Sequence, residues 1–355
     1  MKCIAVYRYP REGTLFRYIE NEDSELDTIH DSGNPRYASA FVFAPFEQDG
    51  EKPMVSFNVA CTREMQLDDA ENLSCPVYDV EEDAPLTLDE RAGYAADFNT
   101  FHDALQSGQY SKLVLSRSHS VKMDAVPQCM HLFARAARQN PNCFVALVST
   151  PQTGTWLTAT PEILVEQQGG VFKTMALAGT QKFDATKGEA SLESVEWDAK
   201  NRREQACVAE YIRRRLEAMN IGYTESPPTT ARAGTLAHIK TDFTFGIDSV
   251  HGQTPLQIAA RLHPTPAVCG LPAIEAKNFI TENEHTSRSY YSGFCGTVDM
   301  QRSEAHLFVT LRCMRIASTA CTLYAGGGLL AESVEEDEWT ETNNKMLAMR
   351  KTLTE

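Results

Sequence analysis

Nowhere in this chain does an apolar run reach the roughly 20 residues that a membrane-crossing helix needs, so no bilayer-spanning segment is expected. The first stretch, Met1-Lys2-Cys3-Ile4-Ala5-Val6-Tyr7-Arg8-Tyr9-Pro10, has no sustained apolar core and predicts no signal peptide. Basic residues are scarce: 33 Lys and Arg face 48 Asp and Glu, for a formal net charge of -15. That balance argues against a nucleic-acid partner, which wants a basic footprint, and against docking on an anionic membrane surface. The ten cysteines include no CxxC pair and no Cys/His cluster. They are expected as reduced, mostly buried thiols of a cytoplasmic protein, not as a disulfide framework or a zinc site. Repeats and low-complexity stretches are absent, and no interaction motif is visible, so a monomer is the expectation.

What is present is the make-up of a globular protein, with 42% hydrophobic and 23% charged residues over 355 positions. A small anionic ligand would be repelled by such an acidic protein as a whole. It would have to meet a local basic pocket or a bound cation.

Residues 1–85 show short strand patterns such as Phe41-Val42-Phe43 among turn residues, and end near the acidic segment Asp79-Val80-Glu81-Glu82-Asp83, expected as a solvated loop. Thr87 and Glu90 have the spacing of a capping box. Behind them Tyr94, Phe98, Phe101 and Leu105 recur at helical spacing. The pattern predicts a strand over 112–116, a helix over 130–138, and strands over 143–150, 155–159, 163–167 and 171–176. A long helix is expected over 199–219, with Val208, Ile212, Leu216 and Met219 along its inner face. The last third predicts strands over 291–298, 307–312 and 321–324, helices near 255–262 and 272–282, and a final helix after Ser333, where Ser333 and Glu336 make a second capping box. Separate helices among hairpin-like strands indicate an α+β fold with a largely antiparallel sheet.

Several constellations could carry chemistry, and each has an ordinary explanation when taken singly. Gly326-Gly327-Gly328 can let backbone N–H groups crowd an anion with no Cβ in the way. Glu338, Glu341 and Lys345 share one face of the final helix, so two carboxylates could hold a hard cation and the lysine an anion bound to it; acids also simply favour a first helical turn, and Glu341–Lys345 is an ordinary i,i+4 pair. Glu204 suits the surface of an amphipathic helix. Lys112 opens an apolar strand, where it guards an edge or, partly buried, serves as a base. Thr160-Pro161-Glu162 is turn-like, Ala178-Gly179-Thr180 ends a strand pattern, and His238 sits in an apolar run as a core histidine would. Arg312, inside a strand pattern, needs an anionic partner if it faces inward.

Their order along the chain is the informative feature. Lys112, Glu162, Ala178-Gly179-Thr180, Glu204, His238, the run 262–270, Tyr291, Arg312, Gly326–Gly328 and the segment 338–345 together resemble the chorismate-utilising enzymes, over about residues 90 to 350. That family includes isochorismate, salicylate, anthranilate and aminodeoxychorismate synthases. The resemblance implies one large α+β domain, an antiparallel β-sandwich with helices outside, in which residues 1–85 are the strand-rich beginning and residues 86–355 the chorismate-binding catalytic region.

It further implies Mg²⁺ bridging glutamates to the ring carboxylate of chorismate, with Glu204 and Glu341 as direct ligands and Glu338 as a helper. Arg312 and Tyr291 correspond to the pair that grips the enolpyruvyl carboxylate. Ala178, Gly179, Thr180, Gly326, Gly328 and Lys345 correspond to the hold on the ring carboxylate or hydroxyl, and His238 to a histidine near that carboxylate. Lysine at position 112 marks the members that add water and is absent from those that add ammonia. The implied reaction is that of an isochorismate synthase: neutral Lys112 takes a proton from water attacking C2 while Glu162 protonates the hydroxyl leaving C4. A salicylate synthase, which goes on to eliminate pyruvate, shares every one of these residues. Menaquinone is the expected pathway and a catechol siderophore the alternative. One departure stands out: Asn201 occupies a position where relatives often carry an acid, which bears on water ordering around the metal.

Overall fold

The computed structural model describes residues 1–30, 33–49, 51–80, 89–183, 192, 194–233 and 236–354. Every strand pairing among them is antiparallel. One sheet runs, edge to edge, Gly270–Leu271, Lys112–Lys122, Ala320–Leu329, Cys313–Ile316, Gly154–Thr160, Phe144–Thr150, Lys2–Arg8, Leu15–Glu22 and Arg63–Gln66. The other runs Thr224–Glu225, Leu236–Gly246, Val171–Lys182, Ile163–Gln168, Glu304–Val309, Phe294–Asp299, Ser39–Ala44, Met54–Asn58 and Asp27–Ile29, with Thr229–Ala233 also paired to Leu236–Gly246. The first 66 residues therefore contribute strands to both sheets.

Alternation of apolar residues gives each sheet two buried faces. Between the sheets lie Tyr7, Phe41, Phe43, Trp156, Tyr290 and Tyr324, with Phe144 stacked on Phe308 at 4.3 Å. Among the described residues six helices close the outside: α1 (Glu90–Gln106), α2 (Cys129–Gln139), α3 (Ala199–Ala218), α4 (Pro255–Leu262), α5 (Ala273–Asn283) and α6 (Glu335–Thr354). α3 and α4 bury Val208, Ile212, Leu216 and Ile258 against the second sheet, while α2 and α6 cover the first. Near the 112–122 strand, α1 and α5 pack Tyr94, Phe98, Phe101 and Ile280 over Leu113 and Leu115. The ten cysteines are free and most are buried. Among the described residues no helix is long and apolar enough to cross a membrane.

Local chemistry explains the helix starts. Asp198 caps α3 by accepting from the Asn201 N–H, and Thr254 with Gln257 forms a capping box in front of Pro255. Two expected boxes turn out otherwise. Thr87 lies outside the described residues, and the N-cap of α1 is Asp89, which accepts from the Arg91 N–H. Ser333 does not box with Glu336: its hydroxyl accepts from the Leu330 N–H and donates to Glu338, and α6 begins two residues later. Of the acidic segment 79–83, Asp79 is tied to Ser318, and 81–83 lie outside the described residues.

Candidate active site

Two chain crossings between the sheets deliver opposing charges to one place. Residues 161–162 carry the chain from the Gly154–Thr160 strand to its neighbour sheet, and residues 310–312 carry it back. The crossings are stitched together: Val309 N–H donates to Glu162 O (3.0 Å), Ala159 N–H to Arg312 O (3.1 Å), and the Thr158 hydroxyl to Leu311 O (2.7 Å). Arg312 is thus not inside a strand, as the pattern suggested; it sits at φ +47 in the connection. Tyr291 likewise precedes its strand, in a turn, and stacks on Tyr324 at 5.7 Å.

Glu162, Arg312, Tyr291, Ala178, Gly179, Thr180, His238, Glu204, Gly326, Gly328 and Lys345 all line one cavity of about 60 Å³. Lys112 is fully buried beside it, its Nζ 3.1 Å from Glu204 Oε1. Burial pushes the Glu162 carboxyl up to about 8, although Lys112, Arg312 and Lys345 each pull it down. The neighbouring Glu204 is held below the usual carboxylate range, because Lys112 and Lys345 outweigh its burial. Burial, with Arg312 and Lys345 nearby, lowers His238 to about 3, so its imidazole is neutral. Two carboxyl groups on one cavity are therefore driven in opposite directions, the arrangement by which a site separates an acid from an anion.

The glycines lie in a strand, where their missing Cβ atoms have a steric use. Gly326–Gly328 run inside the Ala320–Leu329 strand, in register with Ser116, Leu115 and Val114. A Cβ on Gly328 would stand 2.4 Å from Glu204 Oε1 and 2.9 Å from Lys112 Cε; one on Gly326 would stand 2.8 Å from the Tyr291 hydroxyl; one on Gly327 would stand 3.0 Å from Glu338 Oε2. The missing side chains leave room for functional groups arriving from four other segments of the chain.

Each carboxylate meets a lysine: Lys112 with Glu204, Lys345 with Glu341 at 2.6 Å, and Lys200 with Glu338 at 2.5 Å. Lys345 also donates to Gly326 O at 2.8 Å. Sequence reasoning missed Lys200, although its spacing of four from Glu204 puts both on one face of α3. It also missed Tyr324, whose strand pattern gave no hint of Tyr291 above it. The acidic, histidine and cysteine groups among the described residues do not close into a cluster of three or more able to ligate a metal. Yet Glu338 is 1% exposed, its Oε2 has no hydrogen-bond partner, and burial together with Glu341 raises its carboxyl. An orphaned carboxylate oxygen beside the Glu341 carboxylate supplies oxygen donors of the kind a hard divalent cation takes. Asn201 points elsewhere, to Thr180 and Asp198.

A chorismate binding enzyme family model matches residues 51–354. The chain belongs to the chorismate-binding enzymes. Within the family it is 32% identical over 260 residues to the vibriobactin-specific isochorismate synthase of Vibrio cholerae, covering 72% of this chain and 64% of that one. It is 29% identical over 264 residues to isochorismate synthase MenF of Escherichia coli, covering 74% and 60% respectively. These matches span less than two thirds of either relative. The crystal structure of the menaquinone-specific isochorismate synthase MenF from Escherichia coli superposes with a TM-score of 0.77 over 99% of this chain and 88% of that one, at 21% identity, a likeness of fold.

Proposed function

We propose that this chorismate-binding enzyme interconverts chorismate and isochorismate with the help of Mg²⁺. The observation that carries the reading is the pairing, at one cavity, of the buried Lys112 with the Glu162 carboxyl, which burial keeps protonated to about pH 8. Moving a hydroxyl across a diene needs a base at one end and an acid at the other, and water supplies the new oxygen. As the water oxygen bonds to C2, Lys112 accepts its proton. The double bonds shift, the C4–O bond breaks, and Glu162 gives its proton to the departing hydroxyl, which leaves as water. The ammonium and carboxylate so formed return to their starting states by exchange with solvent.

The base role requires the Lys112–Glu204 ion pair to open and the Lys112 ammonium to give up a proton to solvent before water attacks. Arg312 and Tyr291 would hold the enolpyruvyl carboxylate, and the 178–180 turn with Lys345 the ring carboxylate. Glu204, Glu338 and Glu341 would hold the metal, a reading that the orphaned Glu338 Oε2 and its neighbour Glu341 favour. A bound Mg²⁺ supplies the positive charge that lets an acidic protein keep a dianion in place. The cavity, about 60 Å³, is small for a ligand of chorismate's size, so side chains that line it would have to move for the substrate to enter. The site supports the reaction common to the two named relatives, one specific for menaquinone and the other for vibriobactin.

Purified protein incubated with chorismate and Mg²⁺, with products followed by chromatography, tests the proposal. Isochorismate in equilibrium with chorismate, lost on adding EDTA, is the expected result. Salicylate with pyruvate would replace the assignment by that of a lyase, and absence of turnover would refute it.

A further inference from the structure

The extra residue in the 171–182 strand has a consequence for the carboxylate-binding arginine. Pairing with the Leu236–Gly246 strand runs Ala178 opposite Ile239 and then Thr180 opposite His238, so Gly179 is inserted as a bulge, at φ +73. The bulge turns Gly179 O toward His238 Nδ1, at 2.9 Å. A carbonyl only accepts, so Nδ1 carries the proton. On the opposite side of the ring, Nε2 faces an Arg312 terminal nitrogen at 3.4 Å, and arginine only donates. Both contacts demand the same neutral form, protonated at Nδ1 with the lone pair at Nε2.

What holds the bulge comes from α3. Asn201 Oδ1 accepts from the Thr180 N–H at 2.9 Å, while its Nδ2 donates to Asp198 Oδ2 at 2.9 Å. Asn201 also lies flat against Gly179, where a Cβ would stand 3.2 Å from three of its atoms. An acid at this position could accept from Thr180 but would face the Asp198 carboxylate with like charge; an amide satisfies both neighbours at once.

We propose that Asn201 is a positioning residue: through the Gly179 bulge it holds His238 in its Nδ1–H form, whose Nε2 lone pair aims the Arg312 guanidinium at the substrate carboxylate. This assigns His238 to the arginine in preference to the substrate's ring carboxylate, and gives the amide at 201 a task away from the metal. The inference rests on the reading of Arg312 as a carboxylate-binding group.

Long-range proton–nitrogen NMR on protein labelled with ¹⁵N-histidine tests it, His238 being assigned by its loss in His238→Gln. Wild type is expected to show a protonated Nδ1 and an unprotonated Nε2 without any ligand. Asn201→Ala should scatter that signal between the two tautomers and raise KM for chorismate about tenfold, with kcat changed less than about threefold. The exchanged pair Asp198→Asn with Asn201→Asp keeps both hydrogen bonds and should restore the signal and KM, which separates positioning from loss of fold. A wild-type His238 protonated at Nε2, or an Asn201→Ala protein with unchanged tautomer and KM, would overturn the proposal. If wild type turns over no chorismate but the tautomer follows Asn201 as described, the relay stands and the proposed reaction falls.

Discussion

Replacing Glu162 by glutamine removes one titrating proton from the cavity while keeping the side chain's size. The folded carboxyl holds its proton to about 8, against 4.5 for an unperturbed glutamate. The folded state therefore binds a proton that the unfolded chain has already released over that range. The sign follows from linkage: stability falls as pH rises from about 4.5 to about 8, by up to about 1.4 kcal/mol per unit. The whole interval amounts to about 5 kcal/mol, a large share of an ordinary domain's stability. Glutamine carries no such proton, so the variant lacks this slope. Any cost of burying an amide, about 1–2 kcal/mol, is the same at every pH. Contributions from His238 and the other titrating groups largely cancel between the two proteins. Urea denaturation of both from pH 4 to pH 9 should show the variant gaining about 5 kcal/mol on wild type across the range. Parallel curves would refute the claim that Glu162 is a buried acid. Over the same pH range wild-type turnover should decline above about 8, and the variant should lose about 10²- to 10⁴-fold in kcat. Near-normal turnover would remove Glu162 from proton transfer even if the stability result held.

Lys112→Ala is expected to reduce turnover by a similar factor while chorismate still binds, measured by calorimetry; loss of binding instead would make Lys112 a substrate anchor. Glu338→Gln should weaken Mg²⁺ binding at least about tenfold in a titration without substrate, and an unchanged affinity would exclude its orphaned oxygen from the metal. Gly328→Ala places a methyl group against Glu204 and Lys112, so activity should fall more than tenfold with a melting temperature within a few degrees of wild type. Arg288 is buried, with two contacts to Glu284 at 2.6 and 2.7 Å and one to Val114 O at 2.7 Å, and Glu284 in turn accepts from the Ser116 N–H. Arg288→Met should therefore destabilise the protein by about 3–5 kcal/mol in denaturant titration, and a loss under 1 kcal/mol would contradict this account.

By itself the sequence determined the elements whose signals are local. The helix near 255–262 was legible, and the structure shows Thr254, Pro255 and Gln257 forming its start. The long helix after Asp198 and the strands from 144 to 168 stood within a residue or two of their positions, since apolar spacing and caps act over a few residues. The α+β class followed from the same patterns. Most residues of the cavity lining were also singled out, through the order of residues that resembles a known family.

Tertiary structure alone decided how those residues serve one another. Gly326–Gly328 suggested backbone contacts to an anion; that they also clear space for Glu204, Tyr291 and Glu338, side chains 124, 35 and 11 positions away, is something no local pattern shows. Arg312 looked like a strand residue because its neighbours are apolar; the crossing between sheets that lifts it to φ +47 exists only once both sheets are paired. Lys200 and Asn201 are adjacent in sequence, yet one reaches a carboxylate on α6 and the other a bulge in the second sheet. The raised carboxyl of Glu162 and the lowered one of Glu204 have the same cause, a balance between burial and nearby cations. That balance depends on distances across the molecule, and a residue's identity says nothing about it until the chain has folded.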